Sequence, residues 1–165
     1  MADDKQQDQK TAPAPGQGQF GIQKVYIKDM SFETPHSPKI FQEQWSPSVN
    51  MDVSNTAASI GENLFEVVLA VTVTVTFEEK TVYLAEVHQA GIIHIGGFAK
   101  ENVARILATV CPNILFPFAR EVVAELAVRG GFPQLLLAPM NFEALYAQHL
   151  QQAAAKSESD GAKKH

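Results

Sequence analysis

LFEVVLAVTVTVTFEE, residues 64–79, is the stretch that decides the fold. Large apolar side chains occupy every second position from Phe65 to Phe77, and mostly polar or small residues lie between them. This period of two predicts a β-strand whose two faces differ. Residues 78–80 then predict a turn, and residues 81–95 return as a second strand. Each arm of this hairpin is long for a globular protein, roughly 40 Å at ~3.4 Å per residue.

Two further strands are predicted before the hairpin. Residues 20–32 have a strand-like pattern, and apolar and polar residues alternate over 49–54, which is typical of a strand with one solvated face. Three prolines oppose regular structure between these strands, yet Phe41 and Trp45 in the same connection are expected to pack against other parts of the protein. One helix pair could scarcely cover both faces of the long hairpin, so a second subunit is expected to share the sheet.

Beyond Gly96-Gly97 the apolar period becomes helical. Four residues spaced i, i+3, i+4 and i+7 form one apolar stripe: Val103, Ile106, Leu107 and Val110. Pro112 and Pro117 predict an interruption or kink, helical character resumes over 119–129, and Gly130-Gly131 is a helix C-terminal signal.

A last helix is predicted to begin near Asn141, a good N-cap residue, with Glu143 in its first turn. Strands therefore precede helices along the chain. This order predicts an α+β fold, in which a four-stranded antiparallel sheet with a long central hairpin carries helices packed on one face.

Composition narrows the class of protein. The 165 residues carry a formal charge of −5 without a cluster of Lys and Arg, so a nucleic-acid partner is not expected. A single cysteine, Cys111, excludes an internal disulfide and fits a reducing cytoplasm. No signal-peptide pattern and no long uninterrupted apolar run are seen. We therefore expect a cytoplasmic protein without direct membrane insertion.

The ends of the chain differ from its middle. Residues 1–18 contain no large apolar residue after Met1, and residues 153–165 are small, charged and polar. Neither segment can bury enough apolar surface to offset the entropy of ordering. The sequence predicts two disordered tails around one folded domain, residues 19–152.

The search for catalytic chemistry finds no candidate. His88 and His94 share a predicted strand face, but without cysteine or acidic residues at ligand spacing they do not predict a metal site. Cys111 before a proline is typical of a buried small hydrophobic residue. No phosphate loop or nucleophile elbow is present. We expect no catalytic residue, no metal, no cofactor and no enzyme activity.

Several separated blocks resemble the SecB family of bacterial export chaperones. The most specific are CPNILFP at 111–117, GFPQL at 131–135 and LAPMNF at 137–142, and VYIKDMSFE at 25–33, FEVVL at 65–69 and VTVT at 71–74 extend the resemblance. It covers about residues 20–152. It implies an ATP-independent chaperone, assembled as a dimer of dimers, that keeps precursor proteins unfolded and delivers them to the SecA motor.

The resemblance also implies three sets of site residues. We call the first the acidic surface, which would contact the basic, zinc-bearing C-terminal tail of SecA: Asp29, Glu33, Leu84 and Glu86. The second would help hold the dimers together as a tetramer: Ala85, Val87 and Gln89. The third is the client-binding groove for unfolded polypeptides: Trp45, Val49, Met51, Val53, Leu145 and Tyr146.

Two other classes of function remain open on the sequence alone. One is a binder of, or an enzyme acting on, small apolar ligands, in which the long hairpin closes a hydrophobic tunnel. The other is a purely structural oligomer. The clients, their affinities and the role of the tails are not encoded in any motif.

Overall fold

The computed structural model describes residues 18–44 and 46–161, with side chains as far as 155. The predicted N-terminal tail falls almost entirely outside the described residues, as does Trp45. The last helix continues to Gly161, past the predicted domain boundary at 152.

Four antiparallel strands form one sheet: β1 (Gln19–Glu33), β2 (Ser48–Gly61), β3 (Leu64–Phe77) and β4 (Lys80–Gly96). Their order across the sheet is β1-β4-β3-β2. Strands β2, β3 and β4 are therefore joined by successive hairpins, whereas β1 pairs with the most distant strand in sequence. The prediction of a four-stranded antiparallel sheet around a long hairpin is confirmed.

The turn between β3 and β4 is unusually tight. Phe77 pairs with Lys80, so Glu78 and Glu79 alone form the loop. Both glutamates have positive φ, 47° and 63°, as a two-residue turn needs if it is to follow the right-handed twist of its strands.

Three helices follow the sheet: α1 (Lys100–Ala108), α2 (Val110–Arg129) and α3 (Phe142–Gly161). The predicted N-cap of α3 is confirmed, because the Ala144 backbone N–H donates to Asn141 Oδ1 at 3.0 Å. A short 3-10 helix, Lys39–Gln42, lies between β1 and β2 and buries Ile40.

Of the two effects expected of the prolines, the interruption is wrong and the kink stays a prediction. Helix α2 runs through both Pro112 and Pro117, and the helical break lies earlier, at Thr109. Pro112 falls in the first turn, where a backbone N–H has no intrahelical partner to lose. Pro117 forfeits one hydrogen bond, and the buried neighbours Leu115 and Ala119 anchor the helix on both sides of it.

All three helices lie on one face of the sheet, which we call the covered face; the opposite is the uncovered face. Helix α2 packs against β3 and β4, and α1 and α3 pack against α2. The core between these layers includes fully buried Val71, Val87 and Leu115. By length and composition, residues 100–129 form a stretch that could cross a membrane. Packing against the sheet accounts for the apolar character of α2.

Candidate functional site

The acidic surface lies on the uncovered face, where β1 and β4 pair. Glu33 stands opposite Leu84, and Glu86 lies two residues further along β4, opposite Ser31. Asp29 stands opposite His88. The structure therefore brings all four predicted residues of this surface together on one face. Asp29 and Glu33 are exposed, whereas Leu84 and Glu86 are half-buried.

A β-bulge decides which residues of β1 reach this face. The pairing with β4 shifts between Ile27 and Asp29, so Lys28 has no partner of its own. Without this shift, regular alternation would place Asp29 on the same face as Ile27, toward the helices. The bulge thus places both predicted acidic groups of β1 on the uncovered face.

Lys28 is held away from the acidic surface by Glu66 of β3. Its Nζ lies 2.7 Å from Glu66 Oε2 and 2.9 Å from Oε1, and the Tyr26 hydroxyl donates to the same carboxylate. The hydrogen bonds from Lys28 and Tyr26 lower the pKa of Glu66, and the bond to Glu66 raises the pKa of Tyr26. The cation nearest Asp29 in sequence is thus engaged elsewhere.

Glu86 is positioned by two neighbours on the same face. His88 Nε2 lies 2.8 Å from Glu86 Oε1, and the Thr72 hydroxyl lies 3.5 Å from Oε2. The candidate ligand atoms of Asp29, Glu86 and His88 all lie within 4.8 Å of one another. His94 lies further along the same strand, opposite Gly21 and Leu64, and does not join this cluster.

The residues expected at the tetramer interface have side chains that are buried within this subunit. Ala85 and Val87 are 0% exposed and Gln89 is 3% exposed, all on the covered face. Gln89 Nε2 donates to the Tyr26 carbonyl at 2.8 Å. Within this chain the three side chains are therefore covered by the helices, and their place at a tetramer interface stays a prediction.

An apolar pocket of about 120 Å³ opens at the edge of the covered face beside Val49. Its lining comes from the start of β2, from β3 and β4, and from the segment after α2: Pro47, Val49, Val75, Tyr83, Phe132, Pro133, Gln134 and Leu135. Met51 and Val53 follow Val49 on the same strand face, opposite Val73 and Val71, and pack against the core.

The remaining predicted groove residues do not join this pocket. Leu145 and Tyr146 belong to α3, which packs on α1 and α2, and neither lines the pocket. Leu145 is 44% exposed. The predicted groove thus divides into a β2 part and a separate part on α3, and Trp45 lies outside the described residues.

Sequence reasoning assigned no role to the aromatic cluster beside the pocket. The ring of Phe132 lies 4.8 Å from that of Tyr83 and 5.1 Å from that of Phe41, measured between centroids. The expectation that Phe41 packs against another part of the protein is confirmed. The sequence did contain a signal for this cluster. A large apolar residue directly after Gly130-Gly131 is typical of a helix C-terminal motif, in which that residue packs back against the helix.

Glycine is required where α2 ends. Gly131 has φ +86°, a conformation that strains any residue with a Cβ. The Phe132 backbone N–H then donates to the Ala127 carbonyl at 3.0 Å, which closes the helix end. This geometry brings Phe132 to the pocket.

Cys111 is not placed for chemistry. Its side chain is buried in the core, and desolvation raises the pKa of the thiol to about 12. The thiolate, which is the reactive form, is thereby disfavoured. The interpretation as a buried hydrophobic residue is confirmed.

The tunnel considered for a small-ligand protein is absent from the part of the chain that the structure describes. The sheet is open, with β1 and β2 as its two edges, so the hairpin encloses nothing. The apolar pocket beside Val49, at about 120 Å³, is smaller than the roughly 300–1,000 Å³ of typical small-molecule sites, and a larger depression of about 570 Å³ on α2 is lined by the charged residues Arg120, Glu121 and Glu125. An open sheet with an acidic surface on its uncovered face and an apolar pocket at its edge fits the class of binding proteins.

Comparisons with known proteins agree with this class. Residues 12–153 match the family described as SecB, preprotein translocase subunit SecB. The protein-export protein SecB of Nitrosococcus oceani is 54% identical over 154 residues, covering 92% of this chain and 93% of that protein. The corresponding protein of Methylococcus capsulatus is 51% identical over 140 residues, covering 85% and 90%.

A solved structure shares the fold at low identity. A SecB-like chaperone of Mycobacterium tuberculosis, in complex with a peptide from an antitoxin, superposes with a TM-score of 0.63 and 17% identity. The match covers 73% of this chain and 90% of that one. The chain belongs to the SecB family. Since members of this family are chaperones of protein export and not enzymes, the prediction of a non-enzymatic export chaperone is confirmed.

Proposed function

We propose that this chain binds non-native precursor polypeptides without a nucleotide, keeps them competent for translocation and delivers them to the SecA motor. It acts in the cytoplasm as a homotetramer, a dimer of dimers. The observation that carries the proposal is the combination, on one sheet, of an acidic surface on the uncovered face and an apolar pocket at the edge of the covered face.

The pocket beside Val49 supports the capture of extended clients. Unfolded chains expose apolar side chains and unpaired backbone groups, and native folds hide both. The pocket accepts the first feature. Strand β2 is an edge of the sheet, and it can offer backbone partners to the second. Fast-folding proteins escape such a site because they reach the native state before they are bound.

The acidic surface supports the delivery step. Asp29, Glu33 and Glu86 present negative charge around the apolar side chain of Leu84, a pattern suited to a basic segment with apolar residues. Electrostatic complementarity of this kind increases the association rate and favours partners of opposite charge. A second contact on a bound client would add avidity to the transfer.

The first strand supports self-assembly. Strand β1 forms the other edge of the sheet, and it exposes four large apolar side chains: Phe20, Ile22, Ile27 and Met30. An unpaired apolar edge favours association with another chain. In this proposal Ala85, Val87 and Gln89 act on assembly indirectly, because they pack beneath α2 and fix its position on the sheet.

The test of delivery is the charge reversal Glu86→Lys, with Glu62→Lys in the exposed β2–β3 turn as its matched control. We expect Glu86→Lys to abolish SecA binding, measured by titration calorimetry, while native mass spectrometry still finds a tetramer. Glu62→Lys should bind SecA normally. If Glu86→Lys alters assembly but not SecA binding, the protein is a structural oligomer and the delivery role is wrong.

The test of capture is Val49→Asp, with Val128→Asp on the exposed side of α2 as its control. A carboxylate in the pocket should weaken binding of a precursor diluted from urea by about ten-fold, because burial of a valine-sized side chain is worth about 1.5 kcal/mol or more. SecA binding should be unchanged. Equal client affinity for both variants would place the client site elsewhere.

A further inference from the structure

Gln89 is a polar residue in the apolar layer between the sheet and α2. It is 3% exposed, and among the described residues Thr109 is the other buried residue with an amide or aliphatic hydroxyl group. The Thr109 hydroxyl donates to the Arg105 carbonyl at 2.8 Å, an ordinary contact within a helix. Gln89 is different, because its Oε1 is buried and has no hydrogen-bond partner in the part of the chain that the structure describes.

A buried amide that is only half paired is a cost to the fold. Taking a carbonyl oxygen out of water without a donor is unfavourable. A methionine of similar size would fill the same space without that cost. The amide of Gln89 is therefore expected to provide something that an apolar side chain could not. In this structure it provides a donor, since its Nε2 lies 2.8 Å from the Tyr26 carbonyl oxygen.

The carbonyl that accepts this hydrogen bond lies beside the β-bulge of β1. Ile27 stands opposite Gln89, and the register shifts before Asp29, so Lys28 is the extra residue. The amide thus holds the backbone of β1 at Tyr26, two residues before the bulged one. The helices shield this contact from water, and a hydrogen bond in such surroundings is stronger than one in solvent.

A second contact holds the same bulge from the uncovered face. Glu66 accepts hydrogen bonds from Lys28 Nζ at 2.7 Å and from the Tyr26 hydroxyl. Lys28 is 48% exposed, so water competes for its ion pair and weakens it. Tyr26 is therefore bonded through its hydroxyl by an exposed partner and through its carbonyl by a buried one, Gln89.

We propose that Gln89 is a positioning residue for the acidic surface: its amide fixes the position of the β1 bulge and so keeps Asp29 and Glu33 on the uncovered face. This inference rests on the proposed function. Side chains of a strand alternate with a period of two, so a bulge that moved along β1 past Asp29 would turn that carboxylate toward the helices. Gln89 thereby governs the binding of a basic partner that it does not touch.

The first test removes the amide and keeps the volume of the side chain. Gln89→Met has a similar shape without a donor. Leu69→Met is the matched control, because Leu69 is fully buried and stands opposite Gln89 on β3. The full-length variants are compared by hydrogen exchange with mass spectrometry, by urea unfolding, and by calorimetry with purified SecA and with a synthetic Lys/Arg-rich peptide.

For Gln89→Met, amide exchange over residues 24–33 should be about two- to ten-fold faster, the change expected when one hydrogen bond is lost. SecA and the peptide should bind roughly two- to ten-fold more weakly for the same reason. The urea midpoint should stay near the natural value, because the unpaired oxygen is removed as well. A merely structural role would lower the midpoint and leave binding by the folded protein unchanged. Leu69→Met should match the natural chain in exchange over 24–33 and in binding.

The second test removes the bulge itself. Deleting Lys28 makes Ile27 and Asp29 neighbours, and regular alternation then places Asp29 on the uncovered face. Adding Gln89→Met to this deletion should cause no further loss of binding. The two deletion variants have the same charge. An effect of Gln89 on assembly would persist when Lys28 is absent, so its rescue by the deletion would identify the bulge as the cause.

Natural exchange over residues 24–33 in Gln89→Met would overturn the inference, as would an equal loss of binding with and without Lys28. If Gln89→Met binds SecA normally while Glu86→Lys does not, the proposed function stands and this inference is wrong. Failure of the proposed function looks different. If Glu86→Lys binds SecA and the peptide as well as the natural chain does, the surface is not the contact site, and both fall.

Discussion

The two faces of β4 differ sharply although their residues alternate along one strand. Ala85 and Val87 are fully buried beneath α2, whereas Leu84 and Glu86 remain accessible on the uncovered face. Successive side chains of a strand point to opposite faces. One step along the chain therefore separates residues that stabilise the fold from residues proposed to recognise a partner.

Because of this difference, residues on the two faces of β4 should be tested by different measurements, unfolding for the covered face and binding for the uncovered face. Substitutions on the covered face should change the free energy of unfolding and affect binding only through the fold. Substitutions on the uncovered face should change recognition and leave unfolding nearly constant, since exposed positions usually shift stability by less than about 0.5 kcal/mol.

The largest effect is expected in the core beneath α2. Leu115 is 0% exposed and packs against the sheet, so Leu115→Ala should lower the free energy of unfolding by about 2–5 kcal/mol. Urea unfolding followed by circular dichroism measures it, with Phe118→Ala on the exposed side of the same helix as the control. A loss of about 1 kcal/mol or less would mean that Leu115 of α2 is not packed in the core against the sheet.

A smaller effect is expected where α2 ends. Gly131→Ala should destabilise by about 1 kcal/mol, because φ at +86° strains an L-residue. The added Cβ would also lie 3.3 Å from the Phe41 ring. Gly21→Ala is the control, since its Cβ would meet no heavy atom within 4 Å. If client binding falls with Gly131→Ala, the position of Phe132 matters for the pocket as well as for stability.

The uncovered face should contribute a pH-dependent effect that is smaller still. Hydrogen bonds from Lys28 and Tyr26 lower the folded-state pKa of Glu66. A depressed carboxyl pKa adds stability above the unfolded value of about 4.3, and this stability is lost as the pH falls through the folded pKa. In the acid range, the urea concentration at the midpoint of unfolding should depend less on pH for Glu66→Gln than for the natural chain. Glu62→Gln, at the exposed turn, should retain the natural slope.

The smallest expected effect concerns Cys111, which should not react with a thiol reagent in the native protein. Since burial raises the pKa of Cys111 to about 12, a thiol reagent at about pH 8, near the ordinary cysteine pKa, should label the native protein only after urea is added. Leu84→Cys, on the uncovered face, should be labelled without urea. Rapid native labelling of Cys111 would show that α2 opens far more readily than its burial indicates.

Alternation along β3 was enough to predict the hairpin and the burial of its apolar face, because period-two patterns depend on local sequence and one core. The pattern in β2 was seen only over 49–54, although the strand spans Ser48–Gly61. Its later residues, 55–61, read NTAASIG and show no alternation of apolar and polar side chains, and they pair because β3 offers a long ladder.

Long-range features escaped sequence reasoning for a different reason. The adjacency of β1 and β4 and the contact of Phe132 with Tyr83 depend on residues far apart in the chain. The acidic surface was predicted because spacing and the family resemblance agreed. The position of the α3 part of the groove could not be predicted. A local sequence pattern does not distinguish a helix face exposed to solvent from one that lines a binding site.

The order β1-β4-β3-β2 has a consequence for synthesis on the ribosome. The first strand to be made is the last that can be placed, because its partner is complete only when Gly96 has emerged. Until then the growing chain carries an apolar, unpaired ribbon, much like the unfinished proteins it is proposed to protect. Strands β2, β3 and β4 need only adjacent hairpins and can form earlier, so translation itself would set the sequence in which the sheet is completed.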